Sequence, residues 1–471
     1  MKTIAHVLLF ISAMSGGTGA VISQQLPSGQ RYLEEKMPDS WDYTSEFEQT
    51  LPSDDDWWKF FNDSTLDSLI TEGTDNNYNV KMALLRIDMA KHAVGQAAAQ
   101  YFPTLALNAG YTKARSAGAI EGKNVPSANS GYFSLGMDMN WEIDLFGKIT
   151  EQVKGKKAEV GISKADYVGA MVSMAADIAN YYVNLRTLQA ELKVANEHLE
   201  SQKRVVEIAE ARHEAGLVSK LDVAQAKTVY YSTEAVIPHL EASARANINA
   251  IAILLGVYPN QLYDRLSIYA PQPDCSRIID TGVPLNLLRR RPDIVAAERQ
   301  LAVYAAQVGV AKKDFLPSLS IQGTIGVASH NIGDMFKKNS FEYSIAPTLS
   351  WTIFDGFGRK HALAEAREEM ELGIDTYNQT VLNAVQEVDN AMTAYLAAIK
   401  TMDLDKNVLE QSRESFDLAI EQYKEGLASF TNVVDAQISW LEYANSLVEA
   451  KGDALTSLIE LYQALGGSPM Q

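Results

Sequence analysis

The 471-residue sequence predicts an α+β membrane protein of internally duplicated design. Four amphipathic strands per chain contribute to a shared β-barrel, and very long helical hairpins extend from it. Three observations carry this. Sliding Glu210–Ala226 onto Ile420–Ala436, a shift of about 210 residues, superposes Gly216 on Gly426, Leu217 on Leu427, Ser219 on Ser429, Val223 on Val433 and Ala226 on Ala436. Each copy lies between Ala/Glu/Lys/Gln/Leu-rich segments too long for ordinary globular helices. Each half also holds two short stretches in which apolar and polar residues alternate with period two.

In chain order, Met1–Ala20 has one lysine, an apolar run from Ile4 to Met14 and small residues up to Ala20, so it is expected to be a cleaved secretory signal. Residues 21–76 read as a polar, proline-punctuated arm followed by a short helix after Asp56. An Asn/Asp turn leads to an amphipathic helix from about Tyr78 to Gln100, ended by Pro103. The first repeat (77–256) then changes period. Leu105, Leu107, Ala109 and Tyr111 alternate with Thr104, Ala106, Asn108 and Gly110. Phe133, Leu135, Met137, Met139, Trp141 and Ile143 alternate with Ser134, Gly136, Asp138, Asn140, Glu142 and Asp144. Lys113–Ser130 between them reads as a polar loop, which makes 104–145 a β-hairpin.

Gly147 opens a proline-free helix to about Glu214, roughly 100 Å long at 1.5 Å per residue. Gly216 followed by Leu and Ser219 is a helix stop and restart, because glycine takes a left-handed cap and serine caps the next N-terminus. The return helix is expected over Ser219–Leu255 with a kink at Pro238, and 257–286 reads as a proline-rich linker.

The second repeat (287–466) follows the same order. A helix over Leu287–Asp314 is started by RRRPD, with Pro292 suited to the first turn. A β-hairpin over 318–355 sets Leu319, Ile321, Ile325 and Val327, then Phe341, Tyr343, Ile345, Leu349, Trp351 and Ile353, on one face, around a loop at Ser329–Ser340. FDGFGRK (Phe354–Lys360) echoes IDLFGKI, a long helix reaches Lys424, and its partner beyond Gly426 ends before Gly466-Gly467, leaving 467–471 as a tail.

The formal charge of −18 argues against nucleic acid and anionic lipid surfaces as partners, and suits either a solvated exterior or an aqueous lumen that tolerates cations. The only cysteine, Cys275, lies in the linker, so no internal disulfide forms and the thiol reads as inert. No phosphate-binding glycine loop, nucleophile elbow or acid/base dyad occurs, so catalysis and cofactors are not expected. His92, His198, His213, His239, His330 and His361 lack ligand spacing, so no metal site is expected. Met137 and Met139 fall on the apolar face, where lipid contact is a better account than soft-metal binding. The Arg289–Arg291 cluster reads as salt bridges at a helix start rather than an anion site.

Alternating strands rimmed by Trp141, Phe146, Trp351 and Phe354 are the habit of an outer-membrane barrel, although strand by strand a half-buried soluble sheet is the commoner source of the same pattern. Export and the isolated pairs favour the barrel. Four strands cannot close one, since membrane barrels need about eight or more. An open edge in lipid leaves backbone groups unpaired at several kcal/mol each. The wall must therefore be shared: two chains give a side-chain-filled lumen, three give a lumen wide enough for water. Strand polarity then puts the Lys113–Ser130 and Ser329–Ser340 loops outside the cell and the tips in the periplasm. Asp138, Glu142 and Glu342 face the lumen.

The layout resembles the TolC-like outer-membrane efflux factors, in particular the NodT-type subfamily that serves resistance-nodulation-division pumps. The most specific stretch is Leu287–Gly326, supported by WEIDLFGK at Trp141 and by Asp435-Ala436-Gln437 at the second tip. The resemblance implies a homotrimer with a twelve-stranded barrel in the outer membrane, held by its lipid, and a twelve-helix periplasmic α-barrel. Its closed end would open when a periplasmic adaptor (membrane fusion) protein and an inner-membrane pump dock. Many NodT-type members carry a lipidated N-terminal cysteine; none stands here, so the barrel alone is expected to hold the protein.

The resemblance also implies a gate. Asp435 matches an aspartate that rings the pore. Asn432 stands where some relatives have a second aspartate, which would weaken the ring. Asp222 matches a carboxylate of the first hairpin and Tyr423 the tyrosine that can donate a hydrogen bond to it. The bland alternative is that Asp222 and Asp435 are ordinary solvated helix residues. Two rival functions remain at this level: a duct for a type I protein secretion system, and a periplasmic coiled-coil adaptor without a pore.

Overall fold

The computed structural model describes residues 57–115, 129–274 and 291–467. The expected leader, most of the N-terminal arm, the centre of the first surface loop, Cys275, Arg289, the latter part of the linker and residues 468–471 lie outside the described residues.

A 3-10 turn at Trp57–Phe61 precedes α1 (Ser64–Asn76), which Asp63 caps by accepting from the Thr65 and Leu66 amides. Helix α2 (Tyr78–Ala99) follows, capped by Asn77. The Asn77 amide group also donates to the Leu254 carbonyl at 2.8 Å, tying the first turn of α2 to the far end of the return helix.

Strands β1 (Thr104–Arg115) and β2 (Asn129–Ile143) lead into α3 (Lys148–Glu214) and α4 (Lys220–Leu254). In the second half α6 (Pro292–Lys313), β3 (Ser318–Ser329) and β4 (Phe341–Ser350) lead into α7 (Gly358–Lys424) and α8 (Phe430–Ala464), α5 being the short helix Pro259–Leu266 that intervenes. The duplication is close to exact in length: α3 and α7 have 67 residues each, α4 and α8 have 35.

Some boundaries differ from expectation. β1 continues to Arg115 and β2 begins at Asn129, because cross-strand pairing extends past the polar residues assigned to the loop. β4 stops at Ser350 rather than Ile353. The expected linker contains α5, started by Pro259 and anchored by buried Leu262 and Leu266. α4 runs through Pro238 as one helix. No helix among the described residues is long and apolar enough to cross a membrane.

The two hairpins do not stand apart. β2 pairs with β3, giving one antiparallel sheet in the order β1-β2-β3-β4. Its register aligns one apolar face across all strands, through Leu107, Met137, Ile325 and Tyr343 and through Leu105, Met139, Gly323 and Ile345. The other face carries Ala106, Asp138, Thr324 and Ser344. β1 and β4 are exposed at every residue, so helices do not cover this sheet. At its base Trp141 donates to the Tyr101 carbonyl at 2.9 Å and Trp351 to the Phe315 carbonyl at 3.0 Å, the same device in each repeat.

The helices pack on one another around two hydrophobic cores. The upper core joins Trp57, Trp58, Phe61 and the buried residues of α1 to α3, α4, α7 and α8, with Trp57 stacked on Tyr462 at 5.4 Å. Tyr182 donates to Asp63 within it, and burial, then this bond, pushes the Tyr182 hydroxyl up to about 12. Arg291, at the start of α6, is buried and paired with Asp293 and Glu387 at 2.7 Å each, while donating to the Ala464 carbonyl. It is a structural clamp on the C-terminus of α8.

Gly136 and Gly326 face each other in the middle of the β2–β3 ladder. A Cβ on Gly326 would stand 2.7 Å from the Leu135 carbonyl oxygen and 2.8 Å from the Gly136 Cα, both immovable backbone. Gly326→Val should therefore destabilise the folded protein by about 3 kcal/mol or more, the upper range for overpacking. Gly110→Val, which meets only the Ser134 hydroxyl at 3.8 Å, should be nearly neutral. Heat-modifiable electrophoretic migration of the two variants checks the contrast.

Candidate gate at the hairpin tips

Each tip is a left-handed glycine closing a long helix. Gly216 and Gly426 both have φ of +72°. The Leu217 amide bonds the Arg212 carbonyl and the Gly216 amide that of His213; Leu427 to Gln422 and Gly426 to Tyr423 repeat the pattern. This pair of hydrogen bonds satisfies carbonyls left open at the helix end and needs a residue without Cβ strain. The next helices start at Ser219 and Ser429, but neither hydroxyl caps a backbone amide. Ser219 Oγ donates instead to Asp222 Oδ1 at 2.7 Å and Ser429 Oγ to Asn432 Oδ1 at 3.2 Å. Each hydroxyl proton goes to the side-chain oxygen three residues on, and no helix amide donates to either hydroxyl oxygen.

Asp222 and Asn432 thus occupy the same place in the two tips. Asn432 and Asp435, one turn apart on α8, are exposed and line a shallow groove with Asn407, Gln411, Ser412 and Ser415 of α7. Tyr423 lies elsewhere, in the tip core. It packs edge-on against Phe430 at 5.2 Å among Val205, Ala209, Ala226, Phe416 and Val433.

The expected Tyr423–Asp222 hydrogen bond is not made within one chain. The Tyr423 hydroxyl is buried without a hydrogen-bond partner among the described residues. Burial raises its pKa, the Asp222 charge adds to the rise and Arg212 opposes it, so the carboxylate is near enough to be felt without being bonded.

Arg212 is the residue that sequence reasoning missed. Its guanidinium lies 4.8 Å from the Tyr423 ring centroid and its Nη1 donates to the Lys424 carbonyl at 2.8 Å, locking the first hairpin to the last turn of α7. A basic residue in the last turn before a capping glycine was the available signal. A Lys227–Glu210 pair at 2.7 Å ties α4 to α3 nearby, both side chains partly solvated.

A sequence model of the family described as "Outer membrane efflux protein" matches residues 69–257 and 283–467. The chain belongs to that family. It is 30% identical over 395 residues to "Nodulation protein T" of Rhizobium leguminosarum bv. trifolii, covering 84% of each chain. It is 27% identical over 439 residues to the "Pyoverdine export outer membrane protein OpmQ" of Pseudomonas aeruginosa, covering 91% of each. The solved outer-membrane channel OprN superposes with a TM-score of 0.85 at 30% identity, over 92% of this chain and 96% of that one. The structure of VceC from Vibrio cholerae gives 0.80 at 26% identity, over 88% and 100%. This efflux channel therefore resides in the cell outer membrane, with its helical hairpins extending into the periplasm. The family is one of channels, not of enzymes.

Replacing Arg212 removes a cation–π contact and one hydrogen bond, together about 1–2 kcal/mol. Arg212→Leu should speed amide exchange of residues 420–427 by about tenfold while leaving the upper core unchanged. Hydrogen exchange followed by mass spectrometry reads both regions.

Proposed function

We propose that three copies close the four-stranded sheet into a twelve-stranded barrel and the hairpins into a twelve-helix periplasmic tunnel. The homotrimer is a passive exit duct for drugs or other small molecules. The observation that carries this is the sheet itself: apolar on one face, polar on the other, uncovered by helices, with β1 and β4 unpaired at its edges. In lipid those edges must pair, and only further copies of the chain offer matching strands. Three give twelve strands and a water-filled lumen.

In this reading Asp435 lines the narrowest point and its three copies repel one another while attracting cations. Asn432 adds no charge, so one carboxylate ring carries the constriction. Asp222 and Tyr423 hold neighbouring hairpins together: the unpartnered Tyr423 hydroxyl and the nearby carboxylate are a donor and acceptor that assembly can join. Docking of a periplasmic adaptor and an inner-membrane resistance-nodulation-division pump on the tips opens the end. Relatives whose names carry toluene, antibiotic or pyoverdine support a small-molecule cargo.

Purified protein in planar bilayers should give small, cation-selective single-channel currents. Asp435→Ala should raise the conductance and weaken the cation preference. An unchanged trace removes Asp435 from the constriction, and the absence of any pore removes the duct.

A further inference from the structure

Between the two cores the hairpin pair is joined mostly by small or polar buried side chains. The upper core reaches Leu185 on α3 and Tyr395 on α7; the tip core begins at Val205 and Phe416. In the interval, or at its lower border, His198, Gln202, Thr233 and Gln437 are all buried. His198 and Gln202, one helical turn apart, face the same way. Gln202 donates to the Thr233 hydroxyl at 2.9 Å, but three other polar atoms of the layer find no partner. His198 Nδ1, Gln202 Oε1 and Gln437 Nε2 are buried without hydrogen-bond partners. The His198 ring lies 4.1 Å from the Trp440 ring, and Trp440 stacks on Phe416 at 5.1 Å. One imidazole thus joins the first hairpin to the aromatic stack of the second, at the upper edge of the tip core.

We propose that His198 is a proton-operated latch: the neutral ring holds the tip of the first hairpin on Trp440, and protonation releases it. A neutral imidazole tolerates this contact, whereas an imidazolium is a double donor with a full charge, and the one unpaired acceptor named in the layer, the neutral Gln202 Oε1, can take only one of its two protons and brings no counter-charge. The charged groups on the packed elements do not offer it a partner. Glu197 and Glu200 on α3, Glu234, His239 and Glu241 on α4, Arg413, Glu414 and Asp417 on α7, and Asp435 and Glu442 on α8 are all exposed. Burial alone pushes His198 down to about 4 from an ordinary value of 6.5.

The sign follows. A base whose pKa is lowered in the packed state contributes stability that is complete above pH 6.5 and is lost as pH falls towards 4. With those two values, the released tip gains about 20-fold in population relative to the packed one between pH 7 and pH 5. The inference goes beyond the gate assignment, because it names a trigger within the chain that acts without a docked partner.

The test is hydrogen exchange of the full-length protein in detergent at pH 7 and pH 5, corrected for intrinsic rates. Peptides over 203–235 and 410–436 should lose protection about 20-fold at pH 5 while those of the upper core hold theirs. His198→Leu should abolish the response, and His198→Gln serves if the leucine variant fails to assemble. Equal protection of the wild-type tips at both pH values overturns the latch, as does an equal loss in the variants. Exchange is read without a pore, so either failure leaves the channel reading standing.

Discussion

The hydrogen-bonding requirement of two strand edges governs the rest of this molecule. β1 and β4 each present a row of backbone amides and carbonyls that no other described strand satisfies. Water can satisfy such a row and hydrocarbon cannot, at several kcal/mol per group. The sheet's apolar face, built from Leu105, Leu107, Met137, Met139, Ile325, Tyr343 and Ile345, favours hydrocarbon. The fold therefore commits the chain to an environment in which its own edges are intolerable until another copy meets them. In the proposed trimer, the hollow shape and hence the passage follow from that conflict.

The helices answer a different requirement. Their inward side chains are too few and too small for a single thick core along roughly 100 Å. Two apolar clusters stand with a polar layer between them, and apolar burial continues toward the sheet through Val153, Leu301, Val308 and Ile374. The upper level is fixed by the N-terminal aromatic turn and by the Arg291 clamp on Ala464. The lower level rests on a small cluster around Tyr423 and Phe430, braced by Arg212 and Lys227–Glu210. This arrangement, a firm collar and a lightly held end, suits the tip opening proposed above.

Much of the architecture was legible because its signals are periodic. Period two between Phe133 and Asp144 marked both a strand and the side that each residue faces, and the β2–β3 register kept that sorting. Gly216 and Gly426 marked the tips because only a residue without Cβ takes φ of +72° freely. The β2–β3 pairing was not legible, since nothing local to Phe133 encodes a partner almost two hundred residues away. Helix α5 was missed because proline density outweighed two buried leucines. At the site, Asp435 and Asn432 were named on the family resemblance alone, and their part in a gate stays a proposal. The partner of the Tyr423 ring was not legible, because Arg212 meets it across a gap of more than two hundred residues.

The claim on which everything rests is that β1 of one chain pairs with β4 of the next. It can be tested by placing cysteines on the polar face of the two free edges, Asn108→Cys and Ser344→Cys, in a Cys275→Ser background. The protein is then treated in its membrane with a short bismaleimide and run denatured on a gel. The account predicts a covalent ladder that ends at three chains and that needs both cysteines. A product that stays at one chain, or a ladder that ends at two, contradicts it.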